Sequence, residues 1–207
     1  QMLKTSGTDL TALEKEIDED LKPRSRILEG WQAAGEVTIE RIQAEVKNVI
    51  GVLEGAGPLA DETVVIGAHY DHVGWGGENS LSPGTHEIHN GADDNASGTI
   101  ALIELAQRLA ARPEKPSRRL VFIAFTAEEL GLLGSAHYVK EPVFPLDKTV
   151  AMINMDMVGR LNDDKLTIFG SGTAKRWDGL LDALGQAHGV KVTKKPDGFG
   201  PSDQSSF

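Results

Sequence analysis

Cysteine is absent from the 207 residues, which excludes thiolate catalysis, disulfides and cysteine-ligated zinc. Any metal held by this chain must rest on histidine and carboxylates. Basic residues are outnumbered by acidic ones, 21 to 31, giving a formal charge of -10. That balance argues against nucleic acid, whose binders carry basic patches to displace counterions. A negative field favours cations such as metal ions or a free amino terminus, although solubility is the more ordinary reason for acidity. No apolar run approaches the length of a membrane span, and no basic-then-apolar leader opens the chain. Gln1 reads as a cut or processed start, compatible with a signal removed beforehand. Neither an internal repeat nor a low-complexity tract is present.

What remains is ordinary globular composition, 40% hydrophobic and 25% charged, in a chain long enough to bury a core without staples. Leu10, Leu13, Ile17 and Leu21 recur at helical spacing over residues 9–21, and Pro23 closes the run. Residues 36–42 alternate through Val37 and Ile39 as a half-buried strand would. Further strands are expected over 46–53, 63–68, 120–125, 150–157 and 166–169. Helices are expected over 99–111, 127–139 and 174–188, the second weakened by Gly131 and Gly134. Alternating strands and helices predict an α/β three-layer sandwich around a mostly parallel, mixed central sheet, with antiparallel pairing near its start. The organisation reads as an N-terminal helix and strand over 1–45, compatible with a connection from an upstream domain, followed by a catalytic domain over 46–207.

Ligand-type residues recur where predicted strands end, the edge at which open α/β sheets build their sites. His69-Tyr70-Asp71-His72 ends one strand, and Thr126-Ala127-Glu128-Glu129 and Asn154-Met155-Asp156 end two others. Gly91-Ala92-Asp93-Asp94-Asn95 opens the loop before a helix. One acidic residue after a strand is commonplace, and Glu128-Glu129 alone would read as the acidic first turn of a helix. Clusters converging from successive strand ends demand cations, because grouped buried carboxylates are costly. One imidazole with several carboxylates suits zinc. The Asp71 carboxylate is expected to orient His69 by accepting its second ring N–H. His72, His86 and His89 read as loop or surface histidines, and His137 and His188 as helix residues without chemistry. The long polar loop over 74–90 reads as functional or mobile.

The strings Gly67-Ala68-His69-Tyr70-Asp71-His72, Gly91-Ala92-Asp93-Asp94-Asn95-Ala96-Ser97-Gly98, Ala127-Glu128-Glu129-Leu130-Gly131-Leu132-Leu133-Gly134-Ser135 and Asn154-Met155-Asp156-Met157 carry a resemblance. In order and spacing they resemble the co-catalytic zinc exopeptidases of the bacterial leucyl aminopeptidase type, peptidase family M28 of metallopeptidase clan H. The likeness covers roughly residues 50–207.

The resemblance implies a zinc exopeptidase fold of the phosphorylase/hydrolase-like kind and two zinc ions. His69 and Asp156 would hold one ion and Glu129 the other, with Asp94 bridging. Asp71 would orient His69, and Glu128 would be general base to a metal-bridged water that hydrolyses N-terminal residues from peptide substrates. The Asp94–Asn95 peptide bond is expected to be cis. The family also supplies a last histidine near the end of its domain. This sequence stops at Ser202-Asp203-Gln204-Ser205-Ser206-Phe207 without it, so the expectation is a domain cut short of its final strands, with one zinc site incomplete.

An extracytoplasmic location is implied by the same likeness, and the oligomeric state is left open. The alternatives are a clan-related carboxypeptidase, with Arg160 as the nearby candidate clamp for a substrate carboxylate, a single-zinc aminoacyl cyclase, and a non-catalytic metal-binding module.

Overall fold

The structure is a computed structural model and describes residues 7, 9–25, 27, 30–32, 34–39, 43–77 and 80–207. Two units separate by their internal contacts, Gln1–Ala44 and Glu45–Phe207. In the first, helix α1 (Leu10–Asp20) starts where the Asp9 side chain accepts from the Thr11 N–H at 3.3 Å. It ends at Leu21, whose left-handed backbone returns an N–H to the Ile17 carbonyl. The strand expected over 36–42 is not formed across 36–39, and 40–42 lie outside the described residues. Val37 and Ile39 are exposed, so the alternation has no sheet face to bury against.

In the second unit, four strands form one sheet in the order β1-β3-β2-β4. They are β1 (Val49–Leu53), β2 (Thr63–His69), β3 (Arg119–Phe125) and β4 (Thr149–Asn154). β2 pairs in parallel with both β3 and β4, while β1 lies antiparallel to β3. Period-2 alternation divides the apolar residues between two faces. Val65, Val121, Ile123 and Phe125 join Tyr138 on one side, and Ile66, Ala68 and Phe122 join Leu102 on the other.

Tyr138 belongs to helix α3 (Leu133–Lys140) and Leu102 to helix α2 (Gly98–Ala110), so helices cover both faces of the sheet. This is the three-layer α/β arrangement, with burial worth about 1.5–3 kcal/mol per large apolar side chain. Gly67 is required at its place in β2, because a Cβ there would meet the Phe125 ring at 2.5 Å.

A second, two-stranded parallel sheet joins β5 (Lys165–Phe169) to β6 (Lys191–Lys195), with helix α4 (Trp177–His188) between them in sequence. β6, Lys-Val-Thr-Lys-Lys, was not expected as a strand, since its alternation is carried by a single valine against charged neighbours.

The helix expected over 127–139 begins only at Leu133. Ala127, Gly131 and Leu132 have positive φ and form a turn instead, with the Gly131 and Leu132 N–H groups donating to the Glu128 carbonyl at 2.9 Å. Glu128 and Glu129 therefore sit on a tight turn after β3 and not in the first turn of a helix. Among the described residues no helix is long and apolar enough to cross a membrane.

Candidate metal centre

β2, β3 and β4 run parallel, so their C-terminal ends share one edge, and each delivers part of the candidate site there. His69 is the last residue of β2 and is 1% exposed. Its carbonyl accepts from the Thr99 hydroxyl at 2.8 Å, which ties the strand end to α2. The Asp71 carbonyl lies 3.0 Å from His69 Nδ1. A carbonyl only accepts, so in the neutral ring Nδ1 carries the proton and Nε2 presents a lone pair. That lone pair faces Asp94 Oδ1 at 3.2 Å and Asp156 Oδ1 at 3.4 Å. Neither His69 Nε2 nor Asp156 Oδ1 has a hydrogen-bond partner, although both atoms are buried.

Buried acceptors pointed at one another repel unless a metal ion or a proton lies between them. In a tetrahedral site with ligand atoms at 2.0–2.1 Å, the ligands stand about 3.3 Å apart, the spacing His69 keeps from both carboxylates. The donor atoms of His69, Asp94 and Glu129 all lie within 4.8 Å of one another, as do those of His69, Glu128 and Asp156. The residues fit a metal, and their chemistry fits zinc.

The Asp71 carboxylate does not orient His69 as expected. Its Oδ1 is 3.9 Å from the ring and accepts instead from the Glu128 N–H at 3.3 Å. The backbone of Asp71 fixes the imidazole, and its side chain fixes the turn that carries Glu128.

The acidic loop is held with equal care. The Asp94–Asn95 peptide bond is cis, inside an irregular turn over Ala92–Ser97. Buried Asn95 donates to the Met155 carbonyl at 3.0 Å and accepts from the Gly98 and Met157 N–H groups at 3.0 and 3.3 Å. Asp93 accepts from the Gly159 N–H at 2.8 Å and from Arg160 Nε at 2.9 Å, and the Arg160 guanidinium holds its carboxyl below the usual range. Asp93 thus braces the segment after β4, while Asp94 faces the centre. Asn48 accepts from the Thr126 N–H at 3.1 Å and donates to the Gly134 carbonyl at 2.8 Å, closing the glutamate turn from the far side.

Electrostatics follow from crowding. Burial acts to lower the His69 pKa, but neighbouring Asp156, with Glu128 and the Asp71 carbonyl, carries it up to about 9. Burial acts to raise Asp156, and His69 and Ser202 hold it below its ordinary value. Burial pushes Glu128 up to about 7, reinforced by Asp203, Asp156 and Glu129 and opposed by His69.

Two participants escaped the sequence reading. Asp203 is fully buried with neither oxygen hydrogen-bonded, and burial raises its carboxyl to about 6 against the pull of Ser135 and His69. Its signal was present only as part of the terminal string. His72, read as a loop histidine, places Nδ1 2.6 Å from Glu129 Oε1. Its position directly after His69-x-Asp71 was the available clue. His86 and His89 stay outside the centre, His86 stacked on Trp75 and His89 beside Ser80.

A parallel sheet edge carrying a buried imidazole among converging carboxylates, with no thiolate, defines a metallohydrolase class of site. The model of peptidase family M28 matches residues 48–207, and the chain belongs to that family. The aminopeptidase YwaD of Bacillus subtilis is 39% identical over 114 residues, 55% of this chain and 22% of that protein. A probable glutamate carboxypeptidase of Arabidopsis thaliana is 37% identical over 121 residues, 56% of this chain and 15% of the other. The solved structure of BSAP, a zinc aminopeptidase from Bacillus subtilis, aligns with a TM-score of 0.57 at 31% identity. It covers 77% of this chain and 36% of that one. The chain thus spans well under half the length of these relatives.

Proposed function

We propose that the intact protein carrying this chain is a zinc-dependent aminopeptidase that removes N-terminal residues from peptides at a two-zinc centre. The observation that carries this reading is the buried, unpartnered His69 Nε2 held at ligand spacing from Asp94 and Asp156. His69 and Asp156 would hold one zinc and Glu129 the other. Asp94, which faces His69 and lies with Glu129 in one group of donor atoms, would be the shared ligand, since a carboxylate can offer one oxygen to each ion.

Bound zinc supplies Lewis acidity at the scissile carbonyl and lowers the pKa of water. Glu128 takes the proton of the attacking water and delivers it to the leaving amine. In the metal-free site burial raises its carboxyl to about 7, the direction that suits a group which must both take and give a proton. Asp71 keeps that base in place through the Glu128 N–H.

The carboxypeptidase reading draws on the relatives of that name and needs a free cation for the substrate's terminal carboxylate. The Arg160 charge is already paired with Asp93 through Nε, so it is not the unpaired cation this reading needs, which favours the aminopeptidase. A panel of free and N-blocked amino-acid amides, with N-blocked peptides ending in a free carboxylate, assayed with added zinc, tests the choice. Cleavage of the free amides alone is expected. Cleavage of the N-blocked acids would establish the carboxypeptidase, and no cleavage of any substrate would leave a metal-binding module.

A further inference from the structure

We propose that His72 is a positioning residue for the second metal site, donating its Nδ1–H to Glu129 and holding that carboxylate beside Asp94. The inference rests on the two-zinc reading above and adds a residue to it. Two spacings separate His72 from the ligands. His69 Nε2 stands 3.2 and 3.4 Å from its carboxylate neighbours without hydrogen bonding, as atoms around a common ion do. His72 Nδ1 stands 2.6 Å from Glu129 Oε1, too close for two atoms bound to one zinc and right for a short hydrogen bond to a carboxylate. Asp94 Oδ2, at 3.9 Å, is beyond such a bond.

The imidazole is seated for this task. Gly91 has a positive φ, and a Cβ there would come within 3.0 Å of His72 Cβ and Cγ and 2.8 Å of the Asp94 carbonyl. Only a residue without a side chain lets the His72 ring lie against the turn that carries Asp94. His89 meets the ring edge-on, with centroids 6.4 Å apart. One side chain therefore touches the turn bearing Asp94 and grips the turn bearing Glu129. Among the described residues, His72 is the hydrogen-bond partner of the Glu129 carboxylate. Carboxylates that bind metals need such partners, because an unheld carboxylate pays rotamer entropy on binding and offers the wrong oxygen part of the time.

The test is a zinc titration of the intact, metal-stripped protein against a chromophoric chelator, which resolves the two affinities. His72→Ala should weaken one site by about 10–100-fold and leave the other unchanged. His72→Asn, whose side-chain N–H reaches nearly as far as Nδ1, should recover most of that loss. Circular dichroism shows whether each variant is folded, and the Asn variant keeps the test open should the Ala variant unfold. Unchanged affinities in folded His72→Ala overturn the proposal. Loss of the site in the Asn variant as complete as in the Ala variant overturns it too, and makes His72 a ligand. A wild-type protein that binds no zinc removes the two-zinc reading itself, and the role of His72 with it.

Discussion

Two carboxylates next to each other in sequence, Glu128 and Glu129, are given different work by where their side chains go. Glu128 is buried near His69 and Asp156, while Glu129 is taken by His72. Glu128→Gln should keep its zinc while turnover falls by on the order of 10²–10⁴, since it removes a base. Glu129→Gln should lose zinc from one site. Metal analysis of both purified variants checks the pair, and equal zinc loss would mean that the roles are wrongly divided. Asp203 supports a separate prediction. Its carboxyl is raised from 3.8 to about 6 by burial, so the folded protein binds that proton more tightly than the unfolded chain. The stability it contributes is complete below pH 3.8 and is lost as pH rises through about 6. Asp203→Asn should therefore stabilise the metal-free protein at pH 8, by at most about 3 kcal/mol, and change little near pH 4. Urea unfolding in EDTA at both pH values reads this, and equal stability of the two proteins at pH 8 would contradict it.

Elements with strong apolar signals were legible before any coordinates. The runs Val64-Val65-Ile66 and Leu120-Val121-Phe122-Ile123 are strands because both of their faces are buried, and a buried strand announces itself by composition. The turn over residues 127–132 was not legible. Apart from Gly131 its residues have acceptable helix propensity, and tertiary contacts do the rest in preventing the helix. Asn48, remote in sequence, takes the Thr126 N–H and the Gly134 carbonyl, while Asp71 takes the Glu128 N–H. The same limit hid His72 and the backbone role of Asp71, since both depend on which turn faces which. Asn48→Ala leaves the buried Thr126 N–H and the Gly134 carbonyl without that partner. It should cost about 1–3 kcal/mol, seen as a lower urea midpoint, together with reduced turnover as the Glu128 turn loosens. A midpoint within experimental error of wild type would show that the clamp is dispensable.

Across the whole second unit, topology turns scattered motifs into one centre. Parallel pairing of β2 with β3 and β4 sends three strand ends to one edge, and α2 and the turn over Ala92–Ser97 complete it. Motif order along the chain carried this much, because ligand-type residues after successive parallel strands have one edge on which to gather. The acidic balance of the whole chain agrees with a site that gathers cations. Crystals of the intact, zinc-loaded protein, with anomalous diffraction recorded on both sides of the zinc absorption edge, test the central claim most directly. Two zinc peaks about 3.5–4 Å apart are predicted, with Asp94 between them and His69 Nε2 at about 2.0–2.1 Å from one. A single peak, or peaks that touch none of His69, Asp94, Glu129 and Asp156, would contradict the account.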